Sequence, residues 1–278
     1  MSIWDPEALW LKAKVFIDRA NALEHGDPDF GLWSALSLEL LARGALSKIH
    51  PALNADPRDE RNLFYALGFP LVEHPRSIPA HSVYPRLEKL LPGFGKPQRD
   101  FCDYMGLLRN AELHTGDVAF ARVNAGAWLP RFYAVCKVLC QHMGKSLTDL
   151  LGDQVGASAE QIVAAFANAQ EKAVKDKVSA HKEAFDARPA DERARLSAEA
   201  ERQAVRLPLG TLKKPCPACG SSGILRGQLI KELEAVYEEG ELLIDQEYLA
   251  TDFRCLACGF ASRHGRRGWA RWRRPALH

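Results

Sequence analysis

Two short segments constrain this chain more than any other feature: Cys216-Pro-Ala-Cys219-Gly and Cys255-Leu-Ala-Cys258-Gly. Two cysteines separated by two residues can present both thiolates to one metal ion at about 2.3 Å. The trailing glycine lets the backbone turn back towards the sulfurs. Four sulfurs close a tetrahedron with no open position. One structural, non-catalytic zinc per chain is therefore expected on Cys216, Cys219, Cys255 and Cys258. Thirty-five residues lie between Cys219 and Cys255, more than the ~15–20 of the compact spacing, which leaves room for a long β-hairpin. The strand-like text from Ile224 to Phe253 fits that hairpin, with Glu238-Glu239-Gly240 as its turn. A redox reading of either pair would need a neighbouring βαβ pattern, and there is none.

The module resembles a zinc ribbon over about Lys213 to Gly265, a fold that binds nucleic acid, binds protein or only staples a chain. Beyond Asp252 the sequence carries Arg254, Arg263, Arg266, Arg267, Arg271, Arg273 and Arg274 with no acid, and Trp269 and Trp272 interleave with them. Arginine for phosphate and tryptophan for base stacking suit a single-strand contact. That reading makes Arg266, Arg267, Trp269, Arg271, Trp272, Arg273 and Arg274 candidate nucleic-acid ligands. The competing reading packs the tryptophans on the ribbon and leaves the arginines to solubilise the tail.

The rest of the chain is helical text. Of 278 residues, 37 are Lys or Arg and 35 are Asp or Glu, a net charge of +2. A global polyelectrolyte field is thereby excluded, and attraction to nucleic acid must be local. No stretch approaches the ~20 apolar residues of a membrane span. The opening Met-Ser-Ile-Trp-Asp-Pro-Glu has no positive region before an apolar run, so a cytoplasmic chain is expected. Asp5-Pro6-Glu7 is a helix start, and Leu9, Trp10, Ala13, Ile17 and Ala20 follow at helical spacing. A second helix runs through Leu32 to Ile49. Short helices are expected around Arg58 to Leu67 and Ser82 to Leu91, and a longer one from Pro97 to Thr115, stopped by a left-handed Gly116. Helical text resumes to Met143, with Pro130 as a kink or boundary. Ser158-Ala-Glu-Gln161 reads as a capping box opening a charged, alanine-rich helical connector. The expected fold is mainly α: a helical bundle over 1–152, a helical connector over 153–207 and a small β ribbon with a basic tail over 208–278. Cys102, Cys136 and Cys140 read as core residues of the bundle.

Arg109-Asn-Ala-Glu-Leu-His114 is the second segment with chemistry in it. On a helix, Asn110 and His114 project about 40° apart, whereas Arg109 starts about 140° from His114 and needs its long side chain to reach the same edge. His114 falls in the last turn, where the helix dipole favours a protonated imidazole. A guanidinium for phosphate, an amide and a proton-transferring imidazole could form half of a metal-free phosphodiesterase site. A surface or capping role is the plain alternative.

In an all-α setting, Arg109, Asn110 and His114 match a motif of the HEPN family: an arginine, a polar residue, and a histidine a few positions on. Residues 1–152 resemble that family. The resemblance implies a homodimer that brings two such motifs into one cleft. It also implies metal-independent cleavage of RNA, often in antiviral defence or toxin–antitoxin systems, with Arg109, Asn110 and His114 catalytic and no cofactor in the reaction. Some members do not cleave. A non-catalytic adaptor is therefore the second expectation, dimerising through its helices and binding nucleic acid or a partner protein through its ribbon.

Overall fold

The computed structural model describes the backbone of residues 2–69, 71–205, 207–208, 210–238, 241–263 and 269–275, with backbone alone at 228, 230–238, 241–247, 249, 263 and 269–275. The protein is mainly helical with an antiparallel sheet at its C-terminal end. It divides into two compact units, Met1–Ala167 and Asn168–His278. Among the described residues no helix is long and apolar enough to cross a membrane.

The first unit is built from α1 (Pro6–Asn21), α2 (Pro28–Ile49), α3 (Glu60–Ala66), α4 (Ala80–Leu90), α5 (Lys96–His114), α6 (Ala125–Met143) and α7 (Leu147–Leu151). The first part of α8 (Asp153–Asp186) completes it. Local chemistry sets the helix starts. Asp5 Oδ1 accepts from the backbone N–H of Glu7 and Ala8 at 3.0 Å, and Asp27, Asp59 and Asn124 cap α2, α3 and α6 in the same way. Leu38, Leu41 and Leu46 of α2 are fully buried with Ile17 of α1, Met105 of α5, and Phe132 and Leu139 of α6. Each such side chain contributes about 1.5–3 kcal/mol by leaving water. Cys102 and Cys136 are wholly buried in this core, and burial pushes their thiols well above the usual range. Cys140 is pushed up to about 12 for the same reason. None of the three is a nucleophile at neutral pH.

Three local expectations are revised. Pro130 is not a boundary, since α6 runs through it. Its lost backbone bond is outweighed by burial of Trp128, Phe132 and Tyr133 on either side. Ser158 opens no helix, because α8 has already started at Asp153. Gly116 is not left-handed. The helix ends through Thr115, in extended conformation, whose N–H and Oγ1–H both donate to the Ala111 carbonyl, at 3.1 and 2.6 Å.

The loop after α5 is fixed at its far end. Phe120 N–H donates to Glu112 Oε2 at 3.2 Å, and the Phe120 ring lies against Gly31 of α2. A Cβ on Gly31 would stand 2.2 Å from Phe120 Cδ1, inside any permitted contact. Gly31→Ala is therefore expected to cost about 1–3 kcal/mol and to lower the melting temperature by several degrees. Chemical-shift changes should concentrate in residues 112–120. An unshifted melt would show that the ring has room to move.

The second unit holds the rest of α8, α9 (Ala190–Gln203), and strands β1 (Thr211–Pro215), β2 (Ser222–Glu238), β3 (Glu241–Cys255), β4 (Ala261–Arg263) and β5 (Trp269–Pro275). The sheet order is β1-β2-β3, with β4 and β5 pairing different stretches of β3, all antiparallel. Glu238 registers with Glu241, so β2 and β3 form the expected long hairpin; Glu239 and Gly240 of its turn lie outside the described residues.

Residues 153–207 are shared between the two units rather than forming a free connector. Phe185 of α8 and Ala200 of α9 are buried with Cys216, Ala218, Phe253, Cys255, Ala257 and Phe260. Ser197 and Ser221 share a 2.7 Å hydroxyl hydrogen bond, and Glu201 binds both Lys213 and Ser222, the latter at 2.5 Å. The charged text around these positions hides a short apolar face.

Candidate functional site

The two knuckles are near copies of each other. Cys216 N–H donates to Ser221 O at 2.8 Å, and Cys255 N–H donates to Phe260 O at 2.7 Å. Gly220 and Gly259 both stand at φ 73°, the left-handed conformation in which a Cβ is strained. Each turn also aims a backbone N–H at a sulfur: Ala218 at Cys216 Sγ and Cys258 at Cys255 Sγ, both 3.4 Å. All four Sγ atoms lie within 4.8 Å of one another; the Cys216–Cys258 and Cys219–Cys255 pairs are 3.6 and 3.5 Å apart. Ligands 2.3 Å from a tetrahedral centre stand about 3.8 Å from each other. The seven cysteines form no disulfide. Four thiols held this closely, with amide donors directed at them, can hold a metal ion.

Alpha8 braces the second knuckle from outside. His181 Nδ1 lies 3.1 Å from Cys258 O, a bond the ring must donate, and the imidazole meets the Phe260 ring edge-on. Lys177 Nζ donates to Ala261 O at 2.6 Å. Periodicity alone could not reveal these contacts, since His181 and Lys177 look like ordinary members of a solvated helix.

The Arg109 helix is divided by its own geometry. Arg109 projects to the core side of α5, with Phe101, Cys102 and Met105, and its guanidinium Nη1 is ion-paired to Glu39 Oε2 of α2. Glu39 Oε1 accepts from Arg43 Nε and Nη2 at 2.9 and 2.8 Å. The side chains of Glu39, Arg43 and Arg109 are 15, 12 and 15% exposed. Tyr84 of α4 is buried near this cluster, and burial holds its phenol protonated well above its usual range. Asn110 and His114 project to the opposite, solvent side and are exposed. No hydrogen bond or ion pair joins Arg109, Asn110 and His114 among the described residues. Glu39 and Arg43 are the residues missed by sequence reasoning; their only local signal is the i,i+4 spacing of an intrahelical ion pair.

Tyr104 and Leu107, 39 and 70% exposed, lie on the solvent side of α5 at helical spacing with Ala111 and His114, among the polar side chains of Asp100, Asp103 and Asn110.

In the basic C-terminal stretch, Arg266 and Arg267 lie outside the described residues. Trp269, Arg271, Trp272, Arg273 and Arg274 belong to β5, by backbone alone. Register places Arg271 opposite Glu247 and Arg273 opposite Asp245, with Trp272 opposite Gln246 and Arg274 opposite Ile244. Directly opposed residues share a face of a sheet, so two of the arginines occupy positions of opposite-charge cross-strand pairs.

Comparison of the chain with models of known protein families, with curated proteins and with solved structures finds no match to any of them.

Proposed function

We propose that this chain is a homodimeric, metal-independent endoribonuclease of HEPN type carrying a structural zinc ribbon, acting in the cytoplasm in a defence or toxin–antitoxin setting. The observation that carries the reading is the last two turns of α5. There, Asn110 and His114 are exposed on the same side of the helix as Tyr104 and Leu107, and Arg109 is fixed one residue away by Glu39. An RNA 2′-hydroxyl attacks the adjacent phosphate, leaving a 2′,3′-cyclic phosphate and a 5′-hydroxyl. His114 removes or delivers the proton, Asn110 orients the phosphate, and Arg109 offsets charge growing on the phosphoryl oxygens. One imidazole cannot be acid and base at once, so a second copy supplies the other. Zinc is the ion that suits four thiolates in a closed tetrahedral set. It stabilises the ribbon, and the chemistry at α5 does not use it. The ribbon and the C-terminal arginines recruit the RNA or a partner protein.

Dimerisation through α5 makes its own prediction. Leu107 is the most exposed large apolar side chain of that helix, so Leu107→Glu should leave the fold intact and place like charges face to face across a two-fold axis. Light scattering should show a dimer for the wild type at micromolar concentration and a monomer for the variant. A wild-type monomer with full activity removes the reason for a shared cleft.

The second reading is the non-catalytic adaptor. It is favoured by the inward course of Arg109, which as a partner of Glu39 has a structural task whether or not RNA binds. Cleavage of labelled RNA in excess chelator, compared between wild type and His114→Ala, separates the two. The ribonuclease cuts at short exposure and the variant does not, whereas the adaptor cuts in neither case.

A further inference from the structure

The Glu39–Arg43–Arg109 cluster is unbalanced. Two guanidiniums share one carboxylate, so the three side chains carry a formal surplus of one positive charge in a largely covered site. Two of their N–H groups, Arg109 Nε and Arg43 Nη1, are covered and have no acceptor among the described residues. A covered donor without a partner costs about 1–3 kcal/mol. The cluster therefore has both charge and donors left for a further anion.

We propose that Glu39 is an internal competitor of the substrate phosphodiester for Arg109. A carboxylate and a phosphodiester offer a guanidinium the same thing: two oxygens and one negative charge in a fork geometry. In the resting chain Glu39 occupies Arg109 and holds it towards α2. Arriving RNA exchanges one anion for the other, and Glu39 remains neutralised by Arg43, its partner on the same helix. Arg43 thus makes the exchange possible without leaving a bare carboxylate in a covered site. The proposal rests on the reading of Arg109 as a phosphate ligand. It adds that α2 sets how much of the protein can bind.

The test uses the full chain and an RNA oligonucleotide methylated at every 2′-oxygen, which binds but cannot be cleaved. Glu39→Gln keeps the size of the side chain and removes the competing charge. It should tighten the complex about tenfold. The gain should vanish in Glu39→Gln/Arg109→Ala, and Glu39→Asp, which keeps the charge, should stay near wild type. Melting curves establish that the variants fold. If Glu39→Gln does not, Glu39→Gln/Arg43→Gln relieves the repulsion between the two arginines and is compared with Arg43→Gln alone. Unchanged or weaker binding by a folded variant overturns the proposal, as does a gain that survives loss of Arg109. Cleavage of unmodified RNA by the wild type is scored in parallel. Tighter binding without cleavage by any variant keeps the competition and removes the ribonuclease. Cleavage without a change in affinity does the reverse.

Discussion

Removing the metal, or replacing Cys216 by Ser, is expected to unfold the second unit while the first keeps its cooperative melt. The buried cluster of the second unit is small, and two of its eight buried members are the candidate ligands Cys216 and Cys255. Four thiolates within 4.8 Å of each other repel unless a cation lies between them. Structural zinc contributes an apparent ~10–16 kcal/mol at neutral pH, as much as the whole stability of an ordinary domain. A core of this size cannot replace it. The loss should extend beyond the ribbon, because Phe185 and Ala200 have no other buried cluster to join. Limited proteolysis after chelation should therefore cut within α9 and the last turns of α8 as well as between the knuckles. Cleavage should be spared before Ala167. Elemental analysis should find one zinc per chain in the reduced wild type and none in Cys216→Ser. A second unit that stays protected without metal would show that its helices and hairpin hold themselves together.

His114→Ala should reduce RNA cleavage by about 10²–10⁴, the usual contribution of a positioned acid or base. Because His114 is exposed and its side chain has no hydrogen bond or ion pair among the described residues, its removal should change stability by no more than ~0.5 kcal/mol. Rate and stability therefore separate cleanly at this position. They do not separate for Arg109→Ala, which also strips a partner from Glu39 and removes an ion pair between α5 and α2. Arg109→Lys is the sharper variant: it keeps the charge beside Glu39 and loses the two-pronged geometry a phosphoryl group needs. It should melt near wild type and lose about 10²-fold or more in kcat, with affinity for 2′-O-methyl RNA changing far less. DNA of the same sequence should resist, since it lacks the attacking hydroxyl. If DNA is cut as readily as RNA, or His114→Ala retains the wild-type rate, the mechanism is wrong and the adaptor reading replaces it.

Arg271 and Arg273 register opposite Glu247 and Asp245 of β3. Arg274, opposite Ile244, has no acid directly across from it.

What the sequence determined by itself is what short-range chemistry writes. The spacing within each Cys-x-x-Cys-Gly knuckle is sufficient to specify a turn that folds its sulfurs together, and the tertiary structure only has to bring two such turns face to face. Asp5, Asp27, Asp59 and Asn124 cap helices through donors two or three residues away, so their effect is legible locally. Glu238-Glu239-Gly240 marks the hairpin for the same reason. What only the tertiary structure decided acts across distance in the chain. Glu39 lies 70 residues from Arg109, and no local pattern says that the carboxylate will turn the guanidinium to the core side of α5. Alpha8 ignores the capping signal at Ser158 because a helix already under way gains a backbone bond per residue, which one side-chain cap cannot outweigh. The charged text of 171–206 reads as solvated because its apolar contacts, Phe185 and Ala200, are too sparse to form a periodic stripe. They become a buried face only when the knuckles supply the other half of the core. Strand register is of the same kind: alternation can place Arg271 and Arg273 on one face, but only pairing with β3 sets them opposite Glu247 and Asp245.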